Sequence, residues 1–235
     1  MIYFSGDTHG DIDLLKIFKL EHLVRPTRKD ILIILGDCGV LFYKDKARYQ
    51  ALIELYESTG FTILYVDGNH ENFPLIEACP IVEIFGAKAN KVSDHIYRIR
   101  RGEIMAIQGH TFLCIGGANS MDKQWRIKGE SYWDEEHITE EDIANALANA
   151  AKYGNKVDFI LTHCVDSTAV QFGLGYAIDA DTNKLSEIDY KIDYKCWLCG
   201  HYHCDRFLSM KKLVLYNDIM RLDEESDILI SQVSL

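Results

Sequence analysis

The sequence ILIILGD at residues 31–37 is an apolar, β-branched run that stops at a glycine and an aspartate. A similar run, MIYF at residues 1–4, comes shortly before Asp7. Short apolar runs bounded by turn residues predict buried strands. Because chemistry in open α/β sheets collects just beyond the carboxyl ends of the strands, we expect functional side chains to follow both runs.

Strand and helix signals alternate through the first 66 residues. Asp11 is the predicted N-cap of the first helix, and its apolar face is predicted to contain Leu14, Leu15 and Phe18. Alternation of this kind favours parallel strands joined by crossover helices. The predicted elements are strands at 1–5, 31–35 and 62–66 and helices at about 11–20 and 46–58.

Between residues 81 and 115 the pattern changes to short strands separated by hairpin signals, and we predict an antiparallel second sheet there. A helix is then predicted to begin near Thr139, with Asp142 as its capping-box partner, and to end near residue 152. Periodicity alone therefore predicts an α/β or α+β protein with a mixed sheet. The remaining predicted elements are a strand at 157–161, a helix at 181–190 and strands at 195–199, 204–209, 212–216 and 227–232.

The composition is that of one compact globular chain. Of its 235 residues, 48% are hydrophobic and three are proline, so we predict a single domain spanning residues 1–235. The core strand predicted at the N-terminus leaves no room for a secretory signal peptide. The longest apolar runs are only as long as strands, which predicts no membrane-spanning segment and a cytoplasmic location.

The seven cysteines form an odd set scattered mostly through apolar strands, which indicates a reducing compartment rather than a disulfide framework. Cys196 and Cys199 have the spacing of half a zinc knuckle, and Cys204 follows closely. Trp197 and Leu198 between them are apolar, and no second C-x-x-C follows. Small buried thiols are therefore the favoured interpretation.

The charge of the chain is unevenly distributed. A net charge of −11 argues against indiscriminate binding to a polyanion. Residues 86–128, however, contain eight Lys or Arg against three acidic residues. This basic segment either steers phosphate groups or forms a solvated hairpin face.

Five separated segments place Asp, His or Asn directly after predicted strands. Carboxylate and amide oxygens combined with imidazole nitrogens suit first-row divalent metals such as Mn, Fe, Zn or Co, and a shared carboxylate can bridge two ions. The alternative, ordinary turn residues and core histidines, is disfavoured because buried polar groups are costly without partners. The segments are Gly6-Asp7-Thr8-His9, Gly36-Asp37, Gly68-Asn69-His70-Glu71, Thr162-His163 and Gly200-His201-Tyr202-His203.

The order D-x-H, G-D, G-N-H-E, His and G-H-x-H resembles the calcineurin-like metallophosphoesterase superfamily, and the resemblance spans residues 7–203. Each motif alone is common, but all five in sequence order are specific. The resemblance implies an α/β fold of the α+β type, a four-layer αββα sandwich of two mixed sheets flanked by helices. It also implies two divalent transition-metal ions, such as manganese, iron or zinc.

Carried over position by position, the resemblance implies two sets of metal ligands and one catalytic histidine. The spacing alone does not separate His201 from His203. His70 would act on the leaving group as a general acid or charge stabiliser, or, in the alternative interpretation, would only brace its loop. The first set is Asp7, His9, Asp37 and His203, and the second is Asp37, Asn69, His163 and His201, with Asp37 as the bridge.

The implied reaction is hydrolysis of a phosphate monoester or diester. Two cations sharing Asp37 would activate a bridging water that attacks phosphorus directly, so no serine or cysteine nucleophile is required. Cys38, beside Asp37, is better interpreted as a small packed side chain. We expect no membrane and no obligate protein partner.

The sequence departs from Ser/Thr phosphoprotein phosphatases at the second motif. Those enzymes carry G-D-x-V-D-R-G, whereas this chain reads GDCGVLF at residues 36–42 and lacks the arginine that grips phosphate. The best replacements are Lys123 and Arg126, which follow a glycine break after a predicted strand. Nearby aromatic residues can stack on a base or sugar, favouring a nucleotide or nucleic-acid ester, or simply cover the sheet edge. These are Trp125, Tyr132 and Trp133.

Two alternative functions stay open at this point. One is a Ser/Thr-type protein phosphatase, which the missing arginine disfavours. The other is a non-catalytic, metal-bound interaction scaffold of the same fold, as in a retromer subunit. Such relatives typically lose the histidine of G-N-H or some ligands, whereas this chain retains all of them.

Overall fold

Two mixed β-sheets lie face to face, with helices on their outer surfaces. The computed structural model describes residues 1–223 and 230–234. Numbered along the chain, the strands of the first sheet are β1 (Ile2–Ser5), β2 (Ile31–Leu35), β3 (Thr62–Val66), β4 (Ile81–Ile84), β5 (Ala87–Lys91), β6 (Ile96–Ile99), β13 (Ile219–Leu222) and β14 (Ile230–Val233). Those of the second are β7 (Glu103–Ile107), β8 (His110–Ile115), β9 (Lys156–Thr162), β10 (Asp193–Cys199), β11 (Arg206–Phe207) and β12 (Lys212–Val214).

The parallel strands lie in the middle of each sheet. The first sheet has the order β14-β13-β1-β2-β3-β6-β5-β4, in which β1, β2, β3 and β6 are parallel. The second has the order β11-β12-β10-β9-β8-β7, in which β12, β10, β9 and β8 are parallel. The helices are α1 (Leu15–Val24), α2 (Lys46–Ser58), α3 (Phe73–Glu77), α4 (Glu140–Ala151) and α5 (Ala180–Lys191), with a π-helix at Ala169–Leu174.

Three hydrophobic layers hold these elements together. Between the sheets, Phe112 stacks on Phe159 with ring centroids 4.9 Å apart, and Phe4 packs against Phe159 at 5.8 Å. Each fully buried ring of this kind contributes about 1.5–3 kcal/mol to folding. Helices α1 and α2 cover the outside of the first sheet, and α4 and α5 cover the second. The four-layer αββα sandwich is therefore confirmed.

Many predicted elements are present with small changes in their limits. β2, α2 and β3 have the predicted bounds, and the Thr139–Asp142 capping box is formed at α4. The strand predicted at 204–209 shortens to β11. Residues 227–229 of the strand predicted at 227–232 lie outside the described residues, and β14 is Ile230–Val233.

The prediction for the first helix was wrong at its start. The helix begins at Leu15, its N-cap is Leu14, and no side chain caps it. His9 and Gly10 have positive φ angles of 44° and 68°, which keep the chain in turns until Asp13. The buried face of the helix also differs from the prediction. Leu14 is buried, but Leu15, which was predicted on the same face, is exposed.

The prediction of an antiparallel second sheet at 81–115 was also wrong in part. The antiparallel pairs β4–β5 and β7–β8 form as the hairpin signals indicate. However, β4, β5 and β6 extend the first sheet, where β6 runs parallel to β3. Hairpin signals are local and do not identify the long-range parallel partner. None of the helices in the described part of the chain has the length and apolar character needed to cross a bilayer.

A buried charge cluster joins the end of β3 to the second sheet. Asp67 is fully buried, and its two oxygens accept hydrogen bonds from Arg98 Nε at 2.7 Å and Arg101 Nε at 2.8 Å. Burial opposes ionisation of Asp67, but the charges of Arg101 and Arg98 hold its pKa below the ordinary value. Arg101 also donates to the backbone carbonyls of Glu135 and His137. The cluster thus fixes the loop before α4.

Asp67→Asn is expected to lower the free energy of unfolding by about 3–5 kcal/mol, because two buried guanidinium groups would lose their charge partner. Urea denaturation measures the difference. The control is Asp94→Asn, which removes an exposed carboxylate 2.8 Å from Lys91 and should leave stability unchanged within error. Equal effects of the two substitutions would contradict the importance of the Asp67 cluster.

Candidate metal centre

Five loops at the carboxyl ends of parallel strands converge at one edge of the sandwich. The loops follow β1, β2 and β3 in the first sheet and β9 and β10 in the second. Because β1, β2 and β3 are parallel to one another, as are β9 and β10, the loops that follow them meet between the two sheets. The side chains that these loops bring together are Asp7, His9, Asp37, Asn69, His70, His163, His201 and His203.

One group of side chains gathers around Asp7. His203 Nε2 lies 3.2 Å from Asp7 Oδ2, and His9 Nε2 lies 3.9 Å from the same oxygen. His9 Nε2 also lies 3.2 Å from Asp37 Oδ2. These are the four residues of the first predicted ligand set.

A second group gathers on the other side of Asp37. His163 Nε2 lies 3.3 Å from Asp37 Oδ1 and 3.1 Å from Asn69 Oδ1. The rings of His163 and His201 are 4.8 Å apart between centroids. The two oxygens of Asp37 therefore face different groups of imidazoles, which is the arrangement expected of a bridging ligand.

Hydrogen bonds at the rear of two imidazoles orient them toward the centre. His163 Nδ1 donates to the Leu35 carbonyl at 2.8 Å, and His9 Nδ1 donates to Asp13 Oδ2 at 2.7 Å. Each bond leaves Nε2 facing inward, as is usual for metal-binding histidines. Sequence analysis did not identify Asp13, and an aspartate four residues after a histidine is too common to signal the contact.

Buried carboxylates and imidazoles stabilise each other's charges in the site. Burial opposes ionisation of Asp37, but the charge of His163 and hydrogen bonds from His163 and His9 hold its pKa well below the ordinary value. Against the effect of burial, Asp37 raises the pKa of His163 to about 10 and that of His9 to about 9. Burial, reinforced by the charge of His163, lowers the pKa of His201 to about 3.

The residues present fit divalent cations. Asp7 Oδ2 is buried, and although the ring nitrogens of His203 and His9 face it, none of the described residues donates a well-aligned hydrogen bond to it. Three overlapping groups of carboxylate and imidazole atoms lie within 4.8 Å of one another, and all of them belong to the predicted motifs. This set of hard oxygen and imidazole donors is suited to first-row divalent metals.

Two motif glycines permit the close approach of the site residues. A Cβ atom on Gly68 would lie 2.0 Å from Asp37 Oδ1, and one on Gly36 would lie 2.1 Å from His163 Nδ1. Gly36 also has a φ angle of 90°, which L side chains rarely adopt. The glycines of G-D and G-N-H are therefore required by space around the ligands.

Four candidate ligands have a left-handed backbone. The φ angles are 44° at His9, 47° at Asp37, 71° at His201 and 48° at His203. Asp and His tolerate this region better than most residues, but each instance costs on the order of 1–3 kcal/mol. Strain of this kind collects at functional sites, and here it falls on four of the candidate ligands.

A family model described as "Calcineurin-like phosphoesterase" matches residues 1–205. The chain belongs to the calcineurin-like phosphoesterase family. Among solved structures, TT1561 of Thermus thermophilus is 11% identical with a TM-score of 0.47, and the alignment covers 93% of this chain and 92% of TT1561. The sulfate thiohydrolase SoxB of Thermus thermophilus, solved in complex with glycerol, is 12% identical with a TM-score of 0.47, covering 93% of this chain and 52% of SoxB. No curated protein matches the sequence.

Glu71, the last residue of the G-N-H-E motif of this calcineurin-like phosphoesterase, braces the turn that carries Asp37. Its Oε1 accepts the backbone N–H of Cys38 at 2.9 Å and that of Gly39 at 3.4 Å. Burial, followed by the negative charge of Asp37, raises the pKa of Glu71 to about 8. The sequence analysis gave Glu71 no role, although its place in the motif was the available signal.

His70 lies at the mouth of the site. Its backbone N–H donates to Asp37 Oδ1 at 2.7 Å, and its ring is 5.2 Å from that of His9. Arg126 contacts both ring nitrogens of His70, and Arg126 Nε is held by Asp122 at 2.8 Å. Burial lowers the pKa of His70, and the charge of Arg126 lowers it further against the opposing effect of Asp37.

The structure does not bring Lys123 into the cleft. Its ammonium lies 2.9 Å from Glu136 Oε1, 3.0 Å from Asn119 Oδ1 and 2.7 Å from His137 Nε2. Asn119 lines the cleft, but Lys123 does not. Of the two cations singled out in the sequence, Arg126 alone contacts His70 within the described residues.

The aromatic residues singled out in the sequence also lie away from the site. Trp133 is buried, and Trp125 is 82% exposed and does not line the cleft. A cleft of about 400 Å³ opens beside the candidate ligands instead, and its apolar wall is formed by Met121, Val170, Tyr176 and Tyr202. Val170 and Tyr176 lie in a stretch without a clear motif, and Met121 and Tyr202 lie next to residues that drew attention for other reasons, so sequence reasoning missed this wall.

Asp37→Asn is expected to weaken metal binding at both positions, because the substituted residue faces both groups and loses its charge. The loss should exceed the roughly 10–100-fold typical of residues that only orient a ligand. Calorimetric titration of the metal-free protein, combined with elemental analysis, measures affinity and stoichiometry. Asp11→Asn, which removes an exposed charge outside the cluster, is the control. Two ions bound to Asp37→Asn with unchanged affinity would contradict the bridging assignment.

Proposed function

We propose that the protein hydrolyses phosphate monoesters or diesters with two divalent transition-metal ions. The observation that carries the proposal is Asp37, whose two oxygens face different imidazoles, Oδ2 that of His9 and Oδ1 that of His163. Family membership supports the reaction class. The proposed ligands are Asp7, His9, Asp37 and His203 for the first ion and Asp37, Asn69, His163 and His201 for the second.

The bound ions would supply Lewis-acid chemistry, neutralising phosphate charge and acidifying a water molecule. The side chains of the protein would then position the ester and move protons. No protein nucleophile is needed, and none is evident beside Asp37: burial raises the pKa of the Cys38 thiol well above its ordinary value. The single-domain organisation and cytoplasmic location remain predictions from the sequence.

His70 is proposed to act on the leaving-group oxygen. Its ring lies at the edge of the ligand cluster and lines the cleft, so a departing oxygen can reach it. The adjacent Arg126 guanidinium offers a rigid fork of N–H donors for a non-bridging phosphate oxygen. Arg126 would thus replace the arginine that the second motif lacks.

The cleft supports an ester with an organic, planar leaving group. The rings of Tyr176 and Tyr202 lie 6.0 Å apart at an interplanar angle of 27°, and Tyr176 is more than half exposed. Such a wall can stack on a nucleobase or another aromatic ring. A nucleotide or nucleic-acid-derived substrate is therefore supported by Tyr176 and Tyr202 rather than by Trp125 or Trp133.

The decisive experiment is a hydrolysis panel with the metal-reconstituted protein. It should contain aryl phosphate monoesters and diesters, nucleotides, cyclic nucleotides and a phosphopeptide. We expect turnover of mono- or diesters with aromatic leaving groups and little activity on the phosphopeptide. Two bound ions without turnover of any compound would favour the scaffold function instead.

His70→Ala is expected to retain the fold and both ions while lowering kcat by about 10²–10⁴-fold, the usual contribution of acid–base catalysis. The loss should be smaller for nitrophenyl esters than for alkyl esters, because nitrophenolate leaves without a proton. Steady-state kinetics on the two ester types measures the difference. An equal loss for both would remove His70 from the leaving-group role.

Arg126→Ala is expected to raise the inhibition constant for inorganic phosphate by about 10–100-fold, since a hydrogen bond to a charged group contributes about 1.5–3 kcal/mol. Metal content should not change. Lys128→Ala, which removes a nearby exposed cation paired with Asp134, is the control and should be inhibited like wild type. Unchanged phosphate inhibition in Arg126→Ala would reject this residue as the phosphate donor.

A further inference from the structure

A chain of buried hydrogen bonds runs from Asn69 away from the cleft. Asn69 Nδ2 lies 3.1 Å from Ser120 Oγ, and Ser120 Oγ lies 2.8 Å from Glu136 Oε2. The other oxygen, Glu136 Oε1, accepts the Ser120 backbone N–H at 2.9 Å. Ser120 is 4% exposed and Glu136 is fully buried. These groups therefore satisfy one another without help from bulk water.

The chemistry of these groups allows one direction for the hydrogen bonds. An ionised carboxylate only accepts, so the Ser120 hydroxyl must give its single proton to Glu136 Oε2. Ser120 Oγ can then only accept hydrogen bonds, one from Arg126 Nη1 at 3.4 Å and one from Asn69 at 3.1 Å. Asn69 must therefore turn its NH₂ toward the serine. Asn69 Oδ1 consequently faces the opposite side, where His163 Nε2 lies 3.1 Å away.

We propose that Ser120 and Glu136 are positioning residues that fix the Asn69 amide with its oxygen toward the second metal ion. The inference rests on the proposed function, in which Asn69 is a ligand of that ion. An asparagine side chain rotated by 180° would present N–H groups to the cation, and these cannot bind it. The direction of the hydrogen-bond chain thus determines whether Asn69 is a ligand.

Lys123 supplies the positive charge that pairs with Glu136. Its ammonium lies 2.9 Å from Glu136 Oε1 and compensates the charge of a carboxylate that would otherwise be buried alone. Lys123 is itself held by Asn119 and by His137, whose Nδ1 lies 2.7 Å from Asp181 Oδ2. The lysine therefore serves the site through Glu136 rather than by contacting phosphate.

Glu136→Gln is the sharpest test because it reverses the chain at nearly constant shape. Two donors, the Ser120 N–H and Lys123, require an acceptor at Oε1, so the new NH₂ must occupy the Oε2 position. It would donate to Ser120 Oγ, which also accepts from Arg126 Nη1. With both lone pairs of Oγ occupied, the serine proton would point at Asn69 and turn the amide oxygen away from the metal. We expect affinity for the second ion to fall by about 10–100-fold, with the first ion retained.

The measurement is calorimetric titration of Mn²⁺ into the metal-free protein, with thermal unfolding recorded for every variant. Ser120→Ala should resemble Glu136→Gln, whereas Ser120→Thr retains the hydroxyl and should bind two ions as wild type does. Thr59→Ala is the control, since it removes a buried hydroxyl bond to the Tyr56 carbonyl that is not part of the Asn69–Ser120–Glu136 chain. It should lower stability without changing Mn²⁺ binding.

An Asn69→Asp background separates orientation from a general structural effect. Either carboxylate oxygen can bind a cation, so Glu136→Gln should no longer weaken Mn²⁺ binding there. Unchanged binding of two ions by Glu136→Gln and Ser120→Ala, or equal weakening in the Asn69→Asp background, would overturn the inference. Failure of the wild-type protein to bind two ions would instead overturn the proposed function.

Discussion

The two oxygens of Asp37 face opposite groups of imidazoles, and this placement requires the chain on every side to come very close. Gly68 lies against the Asp37 carboxylate, and Gly36 lies against the His163 ring. The Glu71 carboxylate accepts a hydrogen bond from the Cys38 N–H in the turn that carries Asp37. Loops from both sheets must end at the same edge for these contacts to form. The parallel strands in the middle of each sheet meet that requirement, because all five loops follow the carboxyl ends of these strands and lie at that edge.

The end of β3 couples the stability of the sandwich to the geometry of the site. Asp67 and Asn69 are two residues apart, the first bound by buried arginines and the second facing His163. Arg101 also holds the backbone around Glu136, the residue that directs the Asn69 amide through Ser120. The charge cluster and the candidate metal centre are therefore parts of one connected polar structure, in which each ionised group has a buried partner.

The sequence predicted the residues that follow strands better than it predicted which strands are neighbours. Candidate ligands such as Asp37 and His163 stand directly after apolar runs, so their convergence followed from sheet topology. The placement of β4 to β6 in the first sheet depends on long-range pairing that no local pattern encodes. The start of α1 was predicted too early because His9, a candidate ligand, has a left-handed backbone, and the chain forms turns before the helix begins at Leu15. Lys123 was assigned to phosphate because sequence spacing cannot show that its ammonium pairs with the buried carboxylate of Glu136.

Chemistry and stability oppose each other at the three left-handed histidines, His9, His201 and His203. Glycine adopts that backbone without the strain, so a substitution that abolishes a ligand can relieve on the order of 1–3 kcal/mol at that position. The substitution has a cost as well, because loss of the imidazole of His9 or His203 leaves the buried carboxylate of Asp37 or Asp7 without that charge partner, and breaking a buried pair costs about 3–5 kcal/mol. Backbone strain and charge pairing therefore act in opposite directions on the same histidines, and the charge pairing is the larger of the two effects.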